Sequence, residues 1–536
     1  RSTPGKANTD RICMASDILG EPVFSKKGCV LSTKETVSLQ LSLPDGSPEG
    51  TEIRYTLDGS EPTKNSQLYQ SQLSFNTNKI VRAKLFCDGK LSPRSTTHSY
   101  LFHGRDITLP VISINTDNRY FNDSKIGIYS DNKASDGKKN YEHNWRRPMN
   151  IEFFMKDMNA STLNQLIEAR VCGGATRGAA RKSMAIYANK RFGEKRFNYE
   201  FFPDQKPGLK DFKSLMLRNA GNDFDYLYMR DAIIQRNVGS HLDIDWQAWQ
   251  PAIVYINGQY RGMLNIRERS NEDNIYTNYN GLEDLDMFEN WGELKEGTWD
   301  NYNAFKVFYN EHGHTMAEFE QWMDCMEFLN LMAANLYYNN VDFPGNNIVM
   351  WRPIADGGRW RWVMKDTDFG LGLYGRDVNY KIFDWLYNPE FDRDNNWGAN
   401  GYDATRLFRR LMEDETFKGM FIDRSLIYTG DFLNEEGIRE TWDPMLKLAK
   451  AEIIKHRDLY KPWWAWWGWT AENALNDEVN NARSWLSKRT DVFVKQLATY
   501  YQLGTPIPLT VNKGMEGAEE GGYTFNGVKL SKGTFD

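Results

Sequence analysis

Cysteine is scarce in this 536-residue chain. There are five, at Cys13, Cys29, Cys87, Cys172 and Cys325, odd in number and without a CxxC pair. That excludes a zinc ribbon and a disulfide scaffold. A Cys29–Cys87 bridge in the N-terminal part stays open, because spacing alone does not fix connectivity. Long apolar runs are missing as well: no stretch of about 18 apolar residues exists, so no transmembrane helix is expected. Positive charge is not in excess either, and a net charge of −6 argues against a dedicated nucleic-acid binder. No secretory signal opens the chain. RSTPGKANTD reads as a processed or trimmed start, so the compartment is not legible there. What is present is 40% hydrophobic and 14% aromatic residues, enough for large cores and unlike a disordered composition. The length implies about three to four domains.

Residues 1–104 read as all-β. EIRYTLDGSEPT alternates polar and apolar residues and meets a turn signal at Asp58-Gly59; KIVRAKLF follows, with a second turn at Asp88-Gly89. Short strands at this spacing point to a small sandwich of immunoglobulin or fibronectin type. The pieces YTLDGSEPT and IVRAKLFCDGKLS resemble the C-terminal domain of chitobiases and hexosaminidases, which implies a spacer or docking module rather than a catalytic one. From Asp106 the character changes. ITLPVISINTD is β-rich. IEARVCGGATRGAARKSMAIYA reads as strand, glycine turn and a second strand carrying Lys182. FDYLYMRDAIIQRNVGSHL has helical spacing, and PAIVYINGQYRGMLNIRER is a hairpin about Asn257-Gly258. Residues 300–500 read as mainly helical, in EFLNLMAANLYY and ATRLFRRLMEDETFKGMFIDRSLIY. Between these lie NNIVMWRP and GRWRWVMKDTDFG, joined by a turn at Asp356-Gly357-Gly358. The last stretch turns β-like again and stops at Asp536 in what reads as mid-domain, an expectation that the natural protein continues.

Candidate chemistry concentrates in two places. In NVDFPGNNIVMW, Asp342 precedes Asn347 by five positions, the D-x4-N spacing of a kinase catalytic loop, where the aspartate serves the substrate hydroxyl and the asparagine a metal. The next hairpin ends in Asp366-Thr367-Asp368-Phe369-Gly370. Residues two apart on a strand share a face, so Asp366 and Asp368 are expected to form a cup for a divalent cation, completed by Asn347 and phosphate oxygens. The complement is the turn holding Gly173, Gly174, Arg177 and Gly178, whose backbone can approach phosphate, with Lys182 reaching the α- and β-phosphates. Singly, each piece has an ordinary counterpart: a strand-to-strand turn, a solvated lysine, a helix-end aspartate, a pair of exposed charges. Their order is kinase-like throughout.

These stretches, with LPVISINTD, LRNAGND…MRDAI and LFRRLMEDETFK, resemble the spore-coat protein H (CotH) kinase family over about 105–500. The resemblance implies an α+β chain: an all-β sandwich (1–104), a two-lobed atypical protein-kinase-like domain with its N-lobe at 105–268 and mainly helical C-lobe at 269–504, and the start of a β-module at 505–536. It implies a secreted, periplasmic or cell-surface enzyme transferring phosphate from ATP to serine hydroxyls of a protein substrate with Mg²⁺ or Mn²⁺. Lys182 and Asp342 would be catalytic, Asp366 and Asp368 would serve the metal. The chain departs from ordinary kinases: no His-Arg precedes Asp342, and G-x-G-x-x-G-x-V, V-A-I-K and A-P-E are absent. Whether Asp342 is base or ligand, and which of Asp366 and Asp368 is the primary ligand, therefore stay open. So does the acidic partner of Lys182, for which Asp231 and Glu268 are the candidates. Glu268 and Arg269 fall where a hinge would pass the nucleotide. EHGH (311–314) reads as a solvated loop. The tryptophan run KPWWAWWGWT (461–470) reads as packing, or, in the competing reading of a catalytically inactive surface protein, as a binder of glycans. A glycan-active enzyme has little support, since the chitobiase-like piece is an accessory domain.

Overall fold

The computed structural model describes residues 14–92, 94–392, 399–460, 468–505 and 507, and the backbone of Tyr523–Phe525 and Val528–Leu530. The chain divides into two compact units, each built from separate segments. One holds the residues through Cys172 with Tyr187–Lys195 and Ala252–Gly262. The other holds Gly173–Ile186, Arg196–Pro251 and the residues from Met263 onward.

In the first unit, alternation does what the pattern promises. Along Glu52–Thr56, Ile53 and Tyr55 are buried while Glu52 stays exposed. This strand sits in a five-stranded sheet with Cys29–Leu31, Gln67–Leu68, Lys79–Phe86 and Thr96–Phe102. Val37, Leu39 and Leu41 from the two-stranded ribbons join Ile53, Val81 and Leu85 in one core, each full burial stabilising by about 1.5–3 kcal/mol. The expected turns differ in kind. Asp88-Gly89 is a turn, with Gly89 at φ +76°. Asp58-Gly59 is no tight hairpin: Tyr55 pairs with Gln67, so the connection runs through residues 57–66. The Asp58 carboxylate instead accepts from the Ser60 N–H and hydroxyl, a local turn that pulls the chain aside before it returns. Cys29 and Cys87 are free thiols, so the bridge left open by the sequence is not made. Beyond the sandwich, Val111–Asn115 is buried along its whole length. It lies between Arg147–Phe154, antiparallel, and residues 253–256, parallel. The Asn257-Gly258 hairpin has positive φ at both turn residues, +47° and +76°, as a two-residue primed turn requires.

In the second unit, strand β1 (Ser214–Arg218) pairs antiparallel with the last residues, 265–267, of β2 (Gln259–Arg267), placing Arg218 opposite Asn265. Helix α1 spans only Arg230–His241 of the longer segment with helical spacing. Phe224–Met229 is withheld because the buried Asp223 carboxylate accepts from the backbone N–H of Leu227 and Arg230 and pairs with the Arg230 guanidinium, while Tyr228 sits at φ +70°. Helix α2 (Cys325–Tyr337) starts where Asp324 accepts from the Glu327 N–H at 2.9 Å. The paired strands β3 (Val349–Pro353) and β4 (Arg361–Val363) follow, joined through Gly357 at φ +75°. The helical stretch at 402–431 is two helices, Tyr402–Leu411 and Glu415–Asp431, split by the Asp414 N-cap. The long helices α3 (Glu435–Tyr460) and α4 (Ala471–Tyr500) complete the unit. The tryptophan run falls largely on residues 461–467, outside the described residues; Trp469 is exposed. The EHGH segment is solvated but only half a loop: Glu311 and His312 end a helical turn, Phe308–His312, and His312 and His314 are exposed.

A buried pair of carboxyls here makes stability depend on pH. Asp245 accepts from Tyr279 Oη at 2.7 Å and Trp351 Nε1 at 2.8 Å. Glu327 pairs with Arg361 at 3.2 Å. Burial, then the Asp245 charge, pushes Glu327 up, and burial pushes Asp245 up. A single guanidinium cannot answer both carboxylates, so the folded pair keeps a proton that the unfolded chain releases above about pH 4. Folded values above the unfolded ones mean stability is complete below that range and is lost as pH rises toward neutrality. Relative to wild type, Glu327→Gln should therefore gain about 1–3 kcal/mol of unfolding free energy between pH 5 and pH 8. Urea titrations at both pH values check this, and a constant difference would contradict it.

Candidate functional site

Helix α2 aims the first candidate. Arg489 of α4, fully buried, donates to the carbonyls of Leu336 at 2.9 Å and Tyr337 at 2.5 Å, and to Val378 O at 3.0 Å. It satisfies carbonyls that a helix end leaves without partners. Asn339, at φ +53°, then turns the chain out of the helix. The loop closes on itself: Asn347 Nδ2 donates to Asp342 Oδ2 at 2.7 Å, and Asn346 Nδ2 reaches both Asp342 oxygens at 3.2 Å. Asn347 holds φ +56°, an uncommon backbone that the loop imposes. With its amide nitrogen on Asp342, its amide oxygen is the atom a hard cation would take. Burial, with help from the Asp366 charge and against the two asparagines, pushes Asp342 up to about 6.

Asp366 and Asp368 do converge, but strand alternation is not the cause. β4 ends at Val363, and Asp366 has left the strand at φ +51°. They meet on one guanidinium nitrogen: Arg218 Nη2 donates to Asp366 Oδ1 and, at 2.9 Å, to Asp368 Oδ2. The Asn222 N–H also donates to Asp368 Oδ2 at 2.9 Å. Asp368 is fully buried. Burial, then the neighbouring Asp366, raises it well above the usual carboxylate range, against Arg218. Behind them, Asp231 holds Arg267 at 2.6 Å, lies 3.7 Å from Arg218 Nε, and accepts the Thr367 N–H at 2.9 Å. The Phe369-Gly370 pair closes a turn in which the Gly370 N–H returns to Thr367 O. A Cβ at Gly370 would stand 2.8 Å from Ile234 Cδ1 and 3.2 Å from Thr367 O and Tyr338 Cβ, so any larger residue would have to displace the Ile234 side chain.

Lys182 is buried, and its ammonium donates to the carbonyls of Arg177 at 3.0 Å and Ala179 at 3.2 Å, gripping the turn from within. Arg177 Nε donates to Gly173 O at 2.6 Å, and Gly173 needs its φ of +108°. Gly174 and Gly178 are exposed on the same turn. The lysine segment is tied to the aspartates: Ser183 Oγ donates to Asn219 Oδ1 at 2.8 Å, and Asn219 Oδ1 accepts the Gly221 N–H at 3.1 Å, one residue before Asn222. The two acids weighed as partners of Lys182 serve other cations. Asp231 takes Arg267 and Arg218, and Glu268 takes Lys206. Glu268 is also a correction to its reading as a nucleotide contact. It is 1% exposed, with its oxygens on the Ala248 N–H, Asn274 and Asn278, so it anchors the chain after β2.

Sequence reasoning missed Arg218, Asn219, Gly221, Asn222 and Arg489. The first four lie in LRNAGND, whose signal was a run of polar residues and a glycine between a strand and a helix. Gly221, at φ +64°, shows why: a Cβ would fall 2.2 Å from Asp368 Oδ2 and 2.5 Å from Arg218 Nη2. Gly221→Ala is expected to destabilise by about 1–3 kcal/mol and to split the Arg218–Asp368 contact; an unchanged denaturation midpoint would contradict the packing described.

The profile described as CotH kinase protein matches residues 169–493, the span that carries this whole arrangement. The chain belongs to the CotH kinase protein family. A second profile, the chitobiase/beta-hexosaminidase C-terminal domain, matches residues 26–97, within the sandwich. No curated protein matches the chain.

A CotH kinase site implies a divalent cation and a nucleotide, and the side chains present fit a cation. Arg267 and Arg218 face three carboxylates, Asp231, Asp366 and Asp368, while the charges acting on Asp342 are those of Asp366 and Lys365; the carboxyls of Asp342 and Asp368 are raised. The donors are hard oxygens of the kind Mg²⁺ and Mn²⁺ take. Among the described residues no three His, Cys, Asp or Glu side chains are grouped to hold a metal, so phosphate oxygens would have to complete the set.

Proposed function

We propose that this CotH kinase family member is an atypical protein kinase, acting outside the cell or at its surface, that transfers the γ-phosphate of ATP to serine hydroxyls of a protein. Its two lobes would be residues 105–268 and 269–504. The observation that carries the reading is the Asp342–Asn347 hydrogen bond, 2.7 Å long, within electrostatic reach of Asp366. A Mg²⁺ or Mn²⁺ ion held by Asp366, Asp368 and the Asn347 amide oxygen would neutralise phosphate charge, the main demand of phosphoryl transfer. The chain's own groups do the rest. Asp342, held by Asn346 and Asn347, orients the serine hydroxyl and accepts its proton. The Gly173–Gly178 turn, gripped from within by Lys182, meets the phosphates. Asp231 and Arg267 hold Arg218, and through it the two aspartates, in place.

The test is transfer from γ-labelled ATP to casein with Mg²⁺ or Mn²⁺, followed by phosphoamino-acid analysis. Phosphoserine that disappears with EDTA is expected. Metal-independent labelling, or label confined to threonine or tyrosine, would contradict the proposal.

A further inference from the structure

We infer that Arg218 is a resident cation that keeps Asp366 and Asp368 from binding a divalent ion by themselves, so that the ion enters only together with nucleotide phosphates. The nucleotide half rests on the phosphotransfer reading; the Arg218 half does not.

Three observations carry it. First, one guanidinium nitrogen bridges the two carboxylates, at 2.9 Å from Asp368 Oδ2 and closer to Asp366 Oδ1. Arginine stays charged at any working pH, so an ion entering between these oxygens meets a fixed positive charge and competes for the same lone pairs. Second, Arg218 is not a surface side chain that can swing into water. Its side chain is 12% exposed, and Asp231, itself tied to Arg267, faces its Nε at 3.7 Å. Third, the chain has made room for this contact: Gly221 passes so close that a single Cβ would collide with both Arg218 and Asp368. Two carboxylates sharing one guanidinium are a poor chelate for a free ion. A nucleotide triphosphate changes the balance, because it supplies oxygen ligands to the ion and a new anionic partner to Arg218.

The experiment titrates Mn²⁺ alone, and Mn²⁺ with a non-hydrolysable ATP analogue, into the full chain, following free Mn²⁺ by electron paramagnetic resonance. Wild type is expected to bind Mn²⁺ alone only at millimolar concentrations and to bind it at least tenfold more tightly with the analogue. Arg218→Gln should bind Mn²⁺ alone at least tenfold more tightly than wild type, whereas Arg218→Lys, which keeps the charge, should behave like wild type. Micromolar binding of Mn²⁺ alone by wild type, or an unchanged affinity in Arg218→Gln, would overturn the inference. Should Arg218→Gln fail to fold, the wild-type titration decides by itself. The two readings fail separately. Phosphoserine formation with no gain in Arg218→Gln sinks the inference alone. A gain in Arg218→Gln with no nucleotide effect sinks the phosphotransfer reading and the nucleotide half, and leaves Arg218 as the resident cation.

Discussion

Asp342→Asn is expected to lower phosphate transfer by about 10²–10⁴-fold, the usual contribution of a positioned acid–base group, without loss of fold. The substitution keeps the side chain's shape and leaves an amide oxygen to accept from Asn347 Nδ2. It removes a carboxylate that burial and Asp366 already push up to about 6, so the variant should be at least as stable as wild type. That asymmetry makes the result readable. Loss of transfer with an unchanged or raised unfolding midpoint assigns Asp342 to the chemistry. Loss of both would report a broken loop, and unchanged transfer would remove Asp342 from the mechanism.

The largest stability effect is expected at Asp231. Burial pushes its carboxyl up, but Arg267, Arg218 and the Thr367 N–H together outweigh it and hold it well below the usual carboxylate range. Asp231→Ala leaves Arg267, buried and charged, without its ion-pair partner, and breaking a buried pair from one side costs about 3–5 kcal/mol. A folded value below the unfolded one contributes stability above the unfolded carboxylate range, about pH 4, that is lost as pH falls further. The gap between wild type and Asp231→Ala should thus be full at pH 7 and shrink below pH 4. A gap under about 1 kcal/mol at pH 7, or one that widens on acidification, would mean that Asp231 is not the anchor of the cluster. Because Arg218 leans on Asp231, the variant should also loosen the Asp366–Asp368 pair.

Local rules reached far into this chain. Turn chemistry located the Asn257-Gly258 hairpin, and period-2 alternation identified the inward face of Glu52–Thr56. The D-x4-N spacing of Asp342 and Asn347 corresponds to a real hydrogen bond because a five-residue loop can close on itself. The same rules stopped short wherever a partner came from far along the chain. Arg218 is 148 residues from Asp366 and 150 from Asp368, and no periodicity links them. Strand alternation put the two aspartates on one face for the wrong reason, since β4 had already ended and a left-handed residue made the turn. Glu268 read as a site residue from its place after a hairpin, and only Lys206, Asn274 and Asn278 show it to be an anchor. Helical spacing at 224–229 was overridden by a single buried carboxylate, Asp223.

The most direct test of the central claim, that Asp342, Asn347, Asp366 and Asp368 form a metal–nucleotide phosphotransfer site, is calorimetric titration of ATP into the wild-type chain with Mg²⁺ or Mn²⁺ and again with EDTA. Saturable binding of one ATP per chain is expected in the presence of metal, weakened at least tenfold by EDTA. Absence of binding in both conditions, or equal binding in both, would contradict it.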